Sequence, residues 1–493
     1  MHLRLLPVLA TVVVPVATAS VAVPSLTGDA FAHVHERYLQ ACASCHGTDW
    51  MGGQGGSLVD GKWRRGGEPA EVFRSIKEGW PESGMPAFAT LLSDDDISAF
   101  VAYLYEANRI HASRQEAKAE TPPDGQLTAA GETFRIETVV SGLEMPWALA
   151  WLPDGRMLVT ERAGPLRLID ADGRLSAPIA GTPAVFAENQ GGMMEVAVPP
   201  DYERNGWIYL GYSQPRTVAG HRVAFTAVAR GRIRDGHWTD HEIVFEAPDR
   251  FLTDSEKHWG CRLVFDGEHL FIGIGERGRG ANAQDLGHPA GKIHRIHRDG
   301  RIPADNPFAD RPGAFPSIWA YGIRNPQGLT RDARTGRLWA TEHGPRGGDE
   351  FNLIERGRNY GWPVVSRGRN YDFSPVAWVA SRPDVADPLL DWTPSIGVSG
   401  LAYYDAAAFP AWRGSFFAGG LVGERLERVV VLADGTATTE TVFAGLGRVR
   451  DVRTGPDGLI YVVLNHRSKE NAGRVVRLQP RPDMQPGRPV VSH

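Results

Sequence analysis

The feature that most limits what this chain can fold into is a phrase that returns six times between residues 132 and 480. Each copy is a tight turn, an apolar β run, a polar excursion, a second β run and another turn. Leu152-Pro153-Asp154-Gly155 precedes RMLVTERAGPLRLIDADGR, Pro200-Asp201 precedes WIYLGYS, and Asp266-Gly267 precedes HLFIGIGERG. Thr335-Gly336 precedes RLWATEHGP, Tyr404-Asp405 precedes SFFAGGLVGERLERVVVLADG, and Pro456-Asp457-Gly458 precedes LIYVVLNHRS. A spacing of roughly 45–70 residues is that of solenoids and propellers. Each copy holds enough β runs for a four-stranded blade, whereas a single β-sandwich is too small for so many. The pattern predicts an all-β six-bladed β-propeller over 132–480, with polar loops on the face where sites gather. With 57 Gly and 35 Pro in 493 residues, the chain is rich in turns, as such a fold needs.

The first 32 residues read as an address. Arg4 is a short positive region, Leu5 to Val16 is apolar, and Ala17-Thr18-Ala19 or Ala30-Phe31-Ala32 offers a small-residue cleavage site. This pattern predicts a secretory signal peptide. Pro7 and Pro15 interrupt the run, and its core is short for a bilayer span, so an uncleaved anchor is the weaker reading. The mature chain is expected to be exported to the periplasm and not to be an integral membrane protein. A formal net charge of −5 with no dominant basic face argues against nucleic acid as a partner.

Residues 33–108 carry a different signal. Val34, Tyr38, Ala41, Cys42 and Cys45 share a helical face, and Cys42-Ala43-Ser44-Cys45-His46 is the CxxCH pattern of c-type haem attachment. Two thiols one turn apart can add to the two vinyl groups of one porphyrin, and the next residue, His46, then presents its imidazole to the iron. A zinc half-site would want a second Cys/His pair, and the third cysteine, Cys261, is far along the chain. A thioredoxin-like pair would want a βαβ context. Met85, held extended by Pro86 in Gly-Met-Pro-Ala-Phe, is the expected second axial ligand; Met51 is too close to His46 to reach the far face. A thioether ligand raises the haem potential, which suits an electron acceptor. Ser93 with three aspartates after it opens a closing helix with Ile97, Phe100, Val101, Leu104 and Tyr105 as its apolar stripe. Together these elements resemble a small all-α class I cytochrome c. Residues 109–131, with few large apolar groups, read as an exposed linker, and 481–493 as a tail.

Within the repeats a series of motifs stands in order: Pro146-Trp147-Ala148-Leu149-Ala150, Asn189-Gln190-Gly191-Gly192, and His258-Trp259-Gly260-Cys261-Arg262. Gly322-Ile323-Arg324-Asn325-Pro326-Gln327-Gly328, Glu342-His343-Gly344-Pro345, Asn359-Tyr360-Gly361-Trp362 and Arg448-Val449-Arg450-Asp451 follow. Together they resemble the soluble quinoprotein aldose dehydrogenases, the glucose/sorbosone dehydrogenase family. That resemblance implies a six-bladed propeller that binds pyrroloquinoline quinone (PQQ) with Ca²⁺ and oxidises the C1 hydroxyl of aldoses to lactones. The N-terminal domain then looks like a fused electron acceptor, which passes electrons to a downstream partner.

The resemblance also implies roles. Arg324, Arg448 and Arg450 match contacts to the quinone, whose carboxylates suit forked guanidinium groups. Asn325 and Gln190 match positions that hydrogen-bond cofactor or sugar. The backbone carbonyls of Gly344 and Pro345 match calcium ligands, a donor type a hard cation accepts. His258 matches the general base, chemically apt because imidazole titrates near operating pH, and Glu276 matches an acid that supports it. Where relatives carry a lysine near the quinone this chain has Val422; Arg425 is the nearest cation, either replacing that lysine or lying in solvent. A metal-dependent propeller lactonase and a non-catalytic binding propeller are the rival readings. Neither accounts for three arginines together with a haem domain.

Overall fold

In the computed structural model, residues 29–116, 126–466 and 473–481 are described, apart from 48–49, 51–55, 61, 64, 346, 369–375, 377–381 and 394. Most of the expected leader, the rival ligand Met51 and nearly all of the expected C-terminal tail lie outside the described residues. The chain divides into two compact units, Met1–Ser113 and Arg114–His493.

The first unit is built from the helices Asp29–Ala41, Ala43–His46, Pro69–Glu78 and Asp94–Glu116. The helix that carries the CxxCH motif is not continuous: it breaks at Cys42 and restarts at Ala43. Ser93 opens the last helix, its backbone N–H bonded to Asp96 (3.0 Å) and its hydroxyl accepting from the Asp96 N–H (3.2 Å). Ile97, Phe100, Val101 and Leu104 are buried along it. This helix runs on to Glu116, and the first strand of the second unit starts at Gln126. Helix and strand thus enter the linker expected over 109–131 from both ends, the first part being rich in residues of good helix propensity.

The second unit is a six-bladed propeller. Its six sheets start with the strands Pro146–Trp151, Met193–Ala197, Gly260–Asp266, Pro326–Arg331, Val398–Tyr404 and Arg448–Thr454, here called the inner strands of blades 1 to 6. Neighbouring inner strands contact one another around the whole ring, blade 6 against blade 1 included. Among the described residues, blades 2 to 5 have four strands each, as expected, but blade 1 has three and blade 6 has five. The difference arises at the closure, where Glu132–Leu143 leaves the N-terminal side to pair antiparallel with Gly473–Pro480, from Phe134 against Pro480 to Leu143 against Gly473. That pairing closes the ring by hydrogen bonds between its two ends.

The second strands, such as His269–Ile274 and Ile460–Asn465, are almost wholly buried. Covered on both faces by neighbouring blades, they read as unbroken apolar runs rather than alternating ones. The core accordingly lies between blades. Trp339 of blade 4 stacks on Phe351 (5.1 Å, 10°) and meets Phe416 of blade 5 at 4.9 Å.

Every inner strand carries one register break near its start: after Pro146, Met193, Gly260, Pro326, Val398 and Val449. These are β-bulges, which leave a residue out of the ladder and re-aim its side chain. In blade 4 the skipped residue is Gln327, and in blade 6 it is Arg450.

Candidate active site

Of the sequence-expected residues of the propeller, Gln190, His258, Arg324 and Asn325 stand in loops that feed inner strands and Arg448 and Arg450 at the start of one, while Glu276, Gly344 and Pro345 follow second strands and Arg425 opens a third. His258 precedes the inner strand of blade 3, and its φ of 51° is a left-handed conformation for a residue with a side chain, a strain that persists only where surroundings enforce it. The enforcement is visible. The His258 N–H donates to Gln190 Oε1 (2.9 Å), and its carbonyl accepts from Arg277 N–H (3.3 Å). Arg277 packs on the Trp259 ring at 3.2 Å and donates to the carbonyls of Lys257 and Ser255. Gly260 continues the turn at φ 76°, where a Cβ would lie 2.6 Å from the Gly273 carbonyl oxygen.

The imidazole so placed bonds through Nδ1 to Glu276 Oε1 at 2.8 Å. Its side chain is 11% exposed, while that of Glu276 is 2% exposed. Burial holds the His258 pKa below the usual imidazole value; Arg324 and Arg277 add to that effect and Glu276 opposes it. The ring is therefore neutral near pH 7, with Nδ1–H given to the carboxylate and Nε2 left as a base.

Arg324 and Asn325 close the loop before blade 4. Arg324 donates from one nitrogen to the carbonyls of Gly344 (2.9 Å) and His343 (3.2 Å), and lies 5.0 Å from the Trp362 ring centre. Asn325 Oδ1 accepts from Gly260 N–H (3.1 Å) and from Gln327 Nε2 (3.2 Å), and its Nδ2 approaches His343 Nδ1 at 3.3 Å. Arg450 donates to Gln327 Oε1 (2.9 Å), and Arg448 donates to the Leu421 carbonyl (3.0 Å). One hydrogen-bonded network thus joins Asn325, Gln327 and Arg450 to the His258 turn, with Arg324 alongside; Gln190 enters as the partner of the His258 backbone.

The charge balance of this network is lopsided. Burial and the neighbouring Arg448, Arg262 and Arg162 hold the Arg450 pKa well below its ordinary value. Burial, Arg324, Arg450 and His258 push the His343 imidazole down to about 3. The buried Nε atoms of Arg324 and Arg450 have no partner among the described residues. Crowded cations with unspent donors want an anion, and a multiply charged one suits them best. PQQ, a planar tricarboxylate, fits that donor set.

The Gly344 carbonyl, an expected calcium ligand, accepts from Arg324, and its N–H donates to Asp349 Oδ1 (2.9 Å). Asp349 is not a solvated loop charge. It is fully buried and also accepts from Ser395 (2.8 Å) and Val398 N–H (2.9 Å). Among the described residues no three His, Cys, Asp or Glu side chains gather as a metal site. A cation here would draw on the Gly344 and Pro345 carbonyls.

Arg425 begins the third strand of blade 5 and faces Glu427 Oε1 at 3.6 Å, with its side chain 22% exposed. Val422 is exposed. The guanidinium bonded beside Val422 is that of Arg448, through the Leu421 carbonyl. Titrating the apo-protein with PQQ measures each cation's share: Arg425→Ala is expected to weaken binding by ~1.5–3 kcal/mol if it loses a charge-assisted bond. Unchanged affinity there, with a gain in Val422→Lys, would assign that side of the pocket to Arg448 alone.

Beneath this face lies a group that reading the sequence missed. Arg262 donates to Glu195 Oε2 (3.2 Å) and Asp451 Oδ1 (2.8 Å), and Arg453 donates to Glu195 Oε1 (2.7 Å) and Asp451 Oδ2 (2.8 Å). The quartet joins blades 2, 3 and 6. Removing one member would strand a buried charge at a cost of about 3–5 kcal/mol. Its signal in the sequence is a single charge inside an apolar run, as in Met193-Met194-Glu195-Val196. Cys261, between His258 and Arg262, is a free and fully buried thiol.

In the first unit, Cys42 caps the short helix Ala43–His46 and Cys45 lies within it, one residue before His46. His46 Nδ1 bonds to the Gly56 carbonyl at 2.8 Å, which fixes the tautomer and leaves Nε2 for a metal, as ligating histidines require. Met85 is half-buried in a bridge with Trp80, closed by two backbone bonds of 2.7 and 3.1 Å.

Comparison with known proteins agrees with this geometry. Residues 143–490 match the model of the Glucose / Sorbosone dehydrogenase family, and residues 29–104 match that of Cytochrome C oxidase, cbb3-type, subunit III. The aldose sugar dehydrogenase YliI of Escherichia coli is 41% identical over 364 residues, which are 72% of this chain and 95% of that protein. The apo-form crystal structure of the soluble E. coli aldose sugar dehydrogenase superposes with a TM-score of 0.66 at 39% identity, covering 71% of this chain and all of that one. The PQQ-bound aldose sugar dehydrogenase of Streptomyces coelicolor gives a TM-score of 0.58 at 28% identity, covering 71% of this chain and 98% of that one. Propeller, motifs and family match coincide over the same residues: the chain belongs to the glucose/sorbosone dehydrogenase family and carries a cytochrome c domain at its N-terminus.

Proposed function

We propose that this protein is a periplasmic quinohaemoprotein that oxidises the C1 hydroxyl of aldoses to lactones and passes the electrons through its own c-type haem. The observation that carries the reading is one network in which His258, a neutral imidazole bonded to Glu276, stands beside arginines with unspent donors. PQQ, when bound with Ca²⁺, supplies the two-electron acceptor for the hydride that leaves C1. Arg324, Arg448 and Arg450 would hold its carboxylates, and the Gly344 and Pro345 carbonyls would hold the cation.

The chain's own work is the proton. His258 Nε2 takes it from the C1 hydroxyl as the C–H bond breaks, and Glu276 at Nδ1 stabilises the imidazolium that forms. Gln190 and Arg277 fix the backbone so that the ring keeps its aim. In the N-terminal domain, read as a class I cytochrome c, Cys42 and Cys45 would carry the haem, with His46 and Met85 as axial ligands. A haem accepts one electron at a time and each aldose yields two, so it would discharge to a downstream acceptor twice per turnover. Export rests on the leader-like first 32 residues and on the c-type haem motif, whose thioethers belong to exported proteins. No described helix is long and apolar enough to cross a membrane.

Reconstitution tests the reading. Adding PQQ and Ca²⁺ to the haem-loaded protein is expected to give aldose-dependent reduction of the haem absorption band. No change with any aldose would favour a binding propeller. Lactone opening without PQQ would favour a hydrolase.

A further inference from the structure

Gln327 has no role in the reading above, yet its side chain lies where two parts of the site meet. It is 5% exposed. Its Oε1 accepts from Arg450 (2.9 Å), and its Nε2 donates to Asn325 Oδ1 (3.2 Å) and to the Gly260 carbonyl (3.3 Å). Its backbone carbonyl accepts from Arg262 Nε (2.6 Å), whose other nitrogens hold Arg450 O (3.0 Å), Glu195 and Asp451. Gln327 and Arg450 are each the residue left out of the ladder by the bulge in their inner strands. Their peptide groups do not pair along the sheet, so both side chains can turn toward the same point.

We propose that Gln327 is the positioning residue of the site, its one amide holding Arg450 by the oxygen and Asn325 by the nitrogen so that blades 4 and 6 present a single fixed surface. The polarity matters. An amide nitrogen only donates and an amide oxygen only accepts. Arg450 can only donate, so Gln327 must face it with oxygen and turn its NH₂ to Asn325. Asn325 must then answer with Oδ1, which also receives Gly260 N–H, and its NH₂ is left to face His343 Nδ1. The Arg450 guanidinium and the Gly260 peptide, which donates to Asn325 and accepts from Gln327, together set the orientation of both amides and fix His343 in the tautomer with its proton on Nε2. The quartet below holds the Gln327 and Arg450 backbones through Arg262, so the chain of orientation starts from a buried ionic base.

The part of this inference that concerns cofactor affinity rests on the PQQ reading; the part that concerns orientation does not. Two measurements on the full-length protein separate them. In the apo-protein, Gln327→Glu keeps the volume and the oxygen toward Arg450 but offers Asn325 only acceptors. Asn325 is then expected to turn over, giving up the bond from Gly260 N–H for a charge-assisted one to the carboxylate and placing its oxygen at His343, so that the imidazole proton moves to Nδ1. Nitrogen NMR of histidine-labelled protein reads that change directly; an unchanged His343 tautomer would overturn the proposal. The second measurement is PQQ titration followed by tryptophan fluorescence. Gln327→Met is expected to weaken binding about tenfold in the native background and to have almost no effect in an Arg450→Met background, since residues sharing a network couple and independent ones add. Equal losses in both backgrounds would overturn the action through Arg450. A protein that shows the tautomer change but binds no PQQ in any form retains the positioning role and loses the quinone reading instead.

Discussion

Replacing His258 by alanine is expected to lower aldose turnover by ~10²–10⁴-fold, the usual worth of a positioned general base. PQQ affinity should hold, because the cations that would bind the cofactor come from blades 4 and 6 and from the loops before them. The pH dependence of the unmutated protein gives an independent check. Burial, with Arg324 and Arg277, depresses the His258 pKa, and Glu276 raises it. A base with a depressed pKa stays unprotonated to lower pH, so the acid limb of kcat/KM is expected below about 6.5, the ordinary imidazole value. In Glu276→Gln the raising partner is gone, so the limb should move lower still, while the maximum rate falls for want of a group to stabilise the imidazolium. An acid limb above the ordinary value, or near-normal turnover in His258→Ala, would remove His258 from the mechanism.

The family reading and the local geometry support each other differently across the molecule. Six blades were legible because each has its own turn and apolar second strand, as in Asp266-Gly267 before HLFIGI. The division of strands was not, because Glu132–Leu143 pairs with residues more than three hundred positions away, and no local pattern carries that. His258 and Glu276 could be singled out by their frames, and the structure sets them 2.8 Å apart. Gln190 illustrates the limit: the resemblance implies a contact to cofactor or sugar, and nothing in its motif shows that its oxygen also holds the His258 N–H. Gln327, Asp349 and Glu195 were silent for the same reason. Each is a buried polar group whose meaning lies in a partner from another part of the ring, and such pairs form only when the blades pack. Asp349, in a Gly-Gly-Asp-Glu run that suggests a loop, becomes the acceptor for three separate donors.

The electron path gives the other large effect. Replacing both Cys42 and Cys45 by alanine is expected to abolish covalent haem and, with it, all aldose-dependent reduction of a haem band. Each thioether is a covalent bond to the porphyrin. His46, oriented through Nδ1 by the Gly56 carbonyl, can offer the iron only a coordinate bond. Dehydrogenase activity read with a small soluble dye is expected to survive. The base, the arginines and the carbonyls of the propeller all belong to the unit Arg114–His493, and both cysteines belong to Met1–Ser113. Substitutions in separate compact units act independently unless a shared network links them, and every bond found around His258 and Arg450 ends within the propeller. The decisive comparison is dye-linked turnover of the double variant beside its PQQ affinity. Retained PQQ binding with lost dye-linked turnover would mean that the haem takes part in the sugar oxidation itself, and the division of labour between the two units would fall.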